Sequence, residues 1–74
     1  MKIEIRLFAT FRQGRFKTKV KEFDSEIKVT DVLEYLNISK DDVAILLING
    51  RDGKFNSLLE DEDKVSLFPP VGGG

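Results

Sequence analysis

The sequence predicts one small α+β domain, and three observations predict it. Lys2 to Phe8 and Phe16 to Phe23 both alternate polar and apolar residues, the period of a half-buried strand. Val29, Val32, Leu33 and Leu36 fall on one helical face. Two further strand signals follow, Val43 to Ile48 and Lys64 to Phe68, so the order is strand, strand, helix, strand, connection, strand. At 74 residues the chain has room for one core and no second domain.

In the first strand, Ile3, Ile5 and Leu7 lie on one side and Lys2, Glu4 and Arg6 on the other; Phe8 falls on the polar side. A connection through Gln13-Gly14 leads to the second, where Phe16, Thr18 and Val20 face opposite to Lys17, Lys19 and Lys21. The two read as a hairpin. Thr30 is the expected N-cap of the helix, with Asp31 at the positive end of its dipole, and the helix runs to about Leu36. Ser39 to Asp42 reads as a further cap or turn. The unbroken apolar run Val43 to Ile48, stopped by the turn pair Asn49-Gly50, predicts a strand covered on both faces. Arg51 to Asp63 reads as a polar connection around Phe55, Leu58 and Leu59. Lys64 to Phe68 then carries Val65 and Leu67 inward, leaves Phe68 out of phase, and is ended by Pro69-Pro70. A hairpin, a helix across a mixed sheet, and a last strand beside the first make the β-grasp arrangement, with the domain at 1–68 and a tail at 69–74.

Composition excludes several kinds of chemistry. With no cysteine there is no disulfide, thiolate nucleophile, zinc ribbon or cysteine-held iron–sulfur centre, and with no histidine the usual general base and commonest metal ligand are missing. No metal site, bound cofactor or self-contained catalysis is expected. The formal net charge of −1 gives no global attraction to nucleic acid or anionic membrane. No apolar run approaches the roughly 18 residues of a membrane span, and Met1-Lys2 leads directly into an alternating strand, so neither a membrane nor a secretory route is expected and the cytoplasm is the expected location.

The tail Pro69-Pro70-Val71-Gly72-Gly73-Gly74 is the most informative stretch. Prolines stiffen its departure from the sheet and glycines then free it. Six extended residues at about 3.3 Å each reach roughly 20 Å, enough to carry the last carbonyl into another protein's pocket. Glycines can thread a channel too narrow for other residues, and an unhindered terminal carbonyl is open to attack once activated.

On these residues the chain resembles the MoaD/ThiS sulfur carriers, ubiquitin-like proteins that include the small subunit of molybdopterin synthase and the thiamine-pathway carrier. The resemblance rests on Ile5-Arg6-Leu7-Phe8-Ala9 with Phe11-Arg12, on Val43 to Gly50, and above all on Leu67-Phe68-Pro69-Pro70-Val71-Gly72-Gly73-Gly74, which is closest to the molybdopterin type. A third glycine and a long lysine-rich second strand depart from the family pattern. The resemblance implies that an E1-like enzyme uses ATP to adenylate the Gly74 carboxylate. A persulfide donor protein then leaves a thiocarboxylate there, and a large synthase subunit or a thiazole synthase consumes the sulfur. The acyl-adenylate is sensible chemistry in itself, because a carboxylate resists nucleophiles and its anhydride with AMP does not. A ubiquitin-like modifier, whose activated Gly74 is joined to lysines, uses the same first step and is the alternative.

Three features complete the reading. Phe8 and Phe68 lie out of phase with their strands' inward sets. If the first and last strands are neighbours, the two rings share one sheet face and, with Pro69 and Pro70, form an apolar docking patch beside the tail. The Lys17, Lys19, Lys21 row reads as a solvent-facing edge that blocks sheet-to-sheet association; with no exposed aromatic interleaved for base stacking, an RNA-binding role is disfavoured. Glu60 to Asp63 lacks the spacing of a calcium loop and reads as a solvated turn.

Overall fold

The computed structural model of the chain describes residues 1–24 and 26–70. Five strands form one mixed sheet: β1 (Lys2–Leu7), β2 (Thr18–Glu22), β3 (Ile45–Ile48), β4 (Arg51–Asp52) and β5 (Lys64–Phe68), in the order β2-β1-β5-β3-β4. One helix, α1 (Val29–Leu36), and short 3₁₀ turns at Ala9–Arg12 and Lys40–Asp42 complete it. The central pair β1 and β5 is parallel, with Ile5 opposite Val65 and Leu7 opposite Leu67, while β1–β2, β3–β5 and β3–β4 are antiparallel. The last strand therefore lies beside the first, as the β-grasp reading requires, and no described helix is long and apolar enough to cross a membrane.

The core lies between one sheet face and the helix. Ile3, Ile5, Leu7, Val65 and Leu67 have no exposed surface, and they pack in one cluster with Leu46 and with Val29, Val32, Leu33 and Leu36 of α1. Burying an aliphatic side chain of this size contributes about 1.5–3 kcal/mol, which is why strict alternation in β1 and β5 sets which face turns inward. Phe11, Ile27, Ile38 and Leu59 close the ends of the cluster.

The helix is capped differently from the sequence expectation. It begins at Val29, so Thr30 lies inside the first turn, and the Asp31 carboxylate accepts from the Lys28 backbone N–H at 2.7 Å. The N–H groups of Val29 and Thr30 donate to the carbonyls of Ser57 and Phe55. A distant loop thus satisfies donors that a local side chain was expected to serve. At the other end Asn37 takes a left-handed conformation (φ 59°) and Ile38 N–H returns to the Leu33 carbonyl, closing the helix.

Three more expectations are corrected. The apolar run Val43 to Ile48 is covered on one face only: β3 spans Ile45–Ile48, Leu46 is buried, and Ile45 is 50% exposed. One helix can cover one sheet face, and nothing among the described residues covers the other. Arg51–Asp52, read as connection, forms a two-residue strand on β3. In β2 the lysines turn toward the helix side, because Lys21 stands opposite Ile3 and Lys19 opposite Ile5. Val20 is left on the open face at 56% exposure. The edge strand projects beyond the core, so the aliphatic stems of the lysines can lie along it and still carry their ammonium groups to water.

Candidate functional site

The open face of the sheet carries Glu4 and Arg6 of β1, Ser66 and Phe68 of β5, and Ile45 and Leu47 of β3, as the cross-strand register dictates. Its polar part is held by an Arg6–Glu4 ion pair. Its apolar part lies at the end where β5 runs out toward Pro69.

There the Phe8 and Phe68 rings stack, with centroids 4.1 Å apart and planes 12° from parallel. Phe8 is extended, with φ −127° and ψ 154°, so it continues the alternation of β1 one step past the strand and keeps its ring on the Arg6 side. Its N–H donates to the Leu67 carbonyl at 3.2 Å, which ties the two strand ends together beneath the rings. Arg12 adds a second tie: its Nε donates to the Leu7 carbonyl at 2.8 Å and its guanidinium lies 5.4 Å from the Phe8 centroid, a cation–π distance. Both rings are half-buried, because each covers one face of the other and leaves the rest to solvent. Ile45, directly opposite Phe68, widens the patch, and a shallow groove lined by Arg6, Leu47, Asn49, Gly50 and Ser66 runs beside it. Sequence alternation placed both aromatic rings here. It missed Ile45, whose outward position follows from the register with Phe68 once one face of β3 is known to be open.

Pro69 is half-buried and Pro70 exposed; the two border a recess with Thr10, Phe11, Arg15, Asn37, Ile38 and Asp42. Arg15 is fixed there by donating from Nε to the Leu36 carbonyl, which serves one of the free acceptors at the helix end, and from Nη1 to the Phe11 carbonyl. Val71, Gly72, Gly73 and Gly74 lie outside the described residues.

The lysine row is reorganised around an aromatic side chain that the sequence reading did not place beside it. The hydroxyl of Tyr35, 40% exposed on α1, accepts from Lys19 Nζ at 3.1 Å, and Lys21 Nζ lies 5.1 Å from its ring centroid. Lys19 also approaches Phe16, and Lys21 approaches Phe23, at cation–π distances. An exposed aromatic is therefore interleaved with the lysines, but ammonium groups already occupy its surroundings. Among the described residues no group of three or more His, Cys, Asp or Glu side chains is placed to hold a metal ion.

Comparison with known proteins follows the same lines. Residues 5–74 match the model of the ThiS family, a match that takes in the glycine tail. Over the whole of both sequences the chain is 38% identical to small archaeal modifier protein 3 of Haloferax volcanii. Its fold superposes on the crystal structure of SAMP1 from Haloferax volcanii with a TM-score of 0.79 at 27% identity, covering 100% of each chain. It superposes on a putative molybdopterin converting factor subunit 1 from Pyrococcus furiosus with a TM-score of 0.78 at 28% identity, covering 96% of this chain and 99% of that one.

Proposed function

The chain belongs to the ThiS family of ubiquitin-like proteins, and from that premise we propose that it is a sulfur carrier working through its Gly74 carboxylate. An E1-like enzyme spends ATP to form the Gly74 acyl-adenylate. The terminal sulfur of a donor protein's persulfide attacks that carbonyl and AMP leaves; reductive cleavage of the resulting acyl disulfide by a thiol leaves the thiocarboxylate on Gly74. The carrier binds no cofactor and supplies no catalytic side chain; acid–base and metal chemistry belong to the partners.

The observation that carries this reading is the stacked Phe8–Phe68 pair on the uncovered sheet face, immediately before Pro69 and the glycines. A carrier must be gripped by its body while its tail enters a partner's site, and an aromatic pair presenting apolar surface is the kind of anchor that dominates such interfaces. Pro69, half-buried against the body, gives the tail a defined starting point. The proposed acceptor of the sulfur is a molybdopterin or tungstopterin precursor held by a large synthase subunit. The likeness to the putative converting-factor subunit from Pyrococcus furiosus supports it. A thiazole synthase is the alternative acceptor.

A second reading is favoured by the relative that is 38% identical, a small archaeal modifier protein. The same adenylate attacked by a lysine amine in place of sulfur joins Gly74 to another protein through an isopeptide bond. Mass spectrometry of the protein purified from its own cells separates the two. A terminal mass change of one oxygen replaced by sulfur supports the carrier, and lysine peptides that carry the Val65–Gly74 segment left by tryptic cleavage after Lys64 support the modifier. A Gly74 carboxylate that is never activated by an E1-like enzyme and ATP overturns both.

A further inference from the structure

Asn49 and Gly50 form the two-residue turn joining β3 to β4, both with left-handed backbones (φ 54° and 80°). An Asn-Gly pair carries a latent reaction of its own. Glycine has no Cβ to hinder approach to its nitrogen, so in an open chain the Gly50 backbone nitrogen can attack Cγ of the Asn49 amide. A new N–C bond closes a succinimide ring, the C–N bond to the side-chain nitrogen breaks and ammonia leaves. Water then opens the ring to aspartate or isoaspartate. Nothing is oxidised or reduced, and water is the only co-reactant.

In the folded chain that amide is held elsewhere. Oδ1 of Asn49 accepts from the Lys64 backbone N–H at 2.9 Å, and Nδ2 donates to Oδ1 of Asp63 at 2.8 Å. The Asn49 N–H donates to the Lys64 carbonyl at 2.8 Å, closing a ring of contacts with the start of β5. Asp63 is itself anchored, since its other oxygen accepts from the Glu60 N–H at 2.8 Å. One arm of the amide is thus tied to Lys64 at the start of β5 and the other to Asp63 just before it, and Cγ cannot swing onto the Gly50 nitrogen until they are released.

We infer that Asn49 is a deamidation site latched by Asp63 and Lys64, reacting only when the β3–β4 turn opens. The product does not relatch. An aspartate at this position replaces the donor that faced Asp63 with a second carboxylate, and like charges at this distance repel. An isoaspartate also lengthens the backbone and breaks the two-residue turn. Because Asn49 and Gly50 line the groove beside Phe68, each event adds negative charge to the open sheet face. The inference rests on the turn alone and stands apart from the sulfur-carrier reading.

The test is a time course of deamidation at Asn49 in the full chain at mildly alkaline pH, followed by peptide mass spectrometry, for native protein, protein unfolded in urea, and the Asp63→Ala and Asp61→Ala variants. Asp61 makes a comparable contact, accepting from the Lys2 N–H, away from Asn49. The native protein should react slower than the unfolded chain by about tenfold or more, as expected when reaction requires local opening. Asp63→Ala should react several-fold faster than Asp61→Ala. Equal rates in native and unfolded protein, or in the two variants, overturn the latch. Should Asp63→Ala fail to fold, amide hydrogen exchange at Lys64 in the unmodified protein decides. Deamidation that rises with temperature in step with that opening supports the inference, and deamidation independent of it overturns it.

Discussion

Phe8 and Phe68 come from the two ends of the sequence and stack ring on ring, 4.1 Å between centroids, because β1 and β5 run parallel and side by side. Each ring sits one step beyond the core-facing residues of its strand, Leu7 and Leu67, which are fully buried. The same two strand ends therefore hold the core on one face and offer an aromatic surface on the other.

Replacing both rings, Phe8→Ser with Phe68→Ser, should affect binding more than folding. Loss of an aromatic pair removes about 0.5–1.5 kcal/mol beyond area burial, whereas central aromatic anchors of an interface cost 2 kcal/mol or more. Titration calorimetry against the proposed E1-like partner, beside urea unfolding of the free protein, compares the two losses. A variant that unfolds outright, or that binds as tightly as the parent, removes the docking role.

Deleting Gly74 should abolish sulfur loading and leave the urea midpoint unchanged, because every core residue among the described residues precedes Pro69. Gly73→Val should impair loading as well, since a β-branched side chain restricts the backbone and obstructs a narrow channel. Thiocarboxylate formed at the normal rate by both variants would sink the carrier proposal.

Leu67→Ala should destabilise the fold by about 2–5 kcal/mol, the range for truncating a buried leucine. Ile45→Ala, at a half-exposed position on the sheet face opposite the helix-covered core, should change stability by much less while weakening partner binding. Denaturant unfolding of both variants checks the contrast; equal losses would mean that the face bearing Ile45 is covered.

The start of α1 offers a test of where its cap resides. Asp31→Ala removes the acceptor of the Lys28 N–H and should cost about 0.5–2 kcal/mol, as loss of a helix-end carboxylate contact does. Thr30→Ala removes no such contact and should stay within about 0.5 kcal/mol. Thermal melts that reverse this order would restore Thr30 as the cap.

Alternation in Lys2–Leu7 and Lys64–Phe68, helical spacing from Val29 to Leu36, and the Asn49-Gly50 turn were enough to determine the β-grasp order of elements apart from the two-residue β4, the inward set of β1 and β5, and the outward place of Phe8 and Phe68. Those features are local, since side-chain period and turn chemistry are written within a few residues. Tertiary structure alone decided the rest. Whether Val43 to Ile48 is covered on one side or two depends on how many layers stack on the sheet, and a single helix supplies one. The lysines of β2 face the helix side because register with β1 places them opposite Ile3 and Ile5, and register belongs to a pair of strands. Asp31 serves the Lys28 N–H locally, but the first N–H groups of α1, those of Val29 and Thr30, are satisfied by the carbonyls of Ser57 and Phe55, far along the chain, because a buried N–H takes whichever acceptor the fold brings within reach.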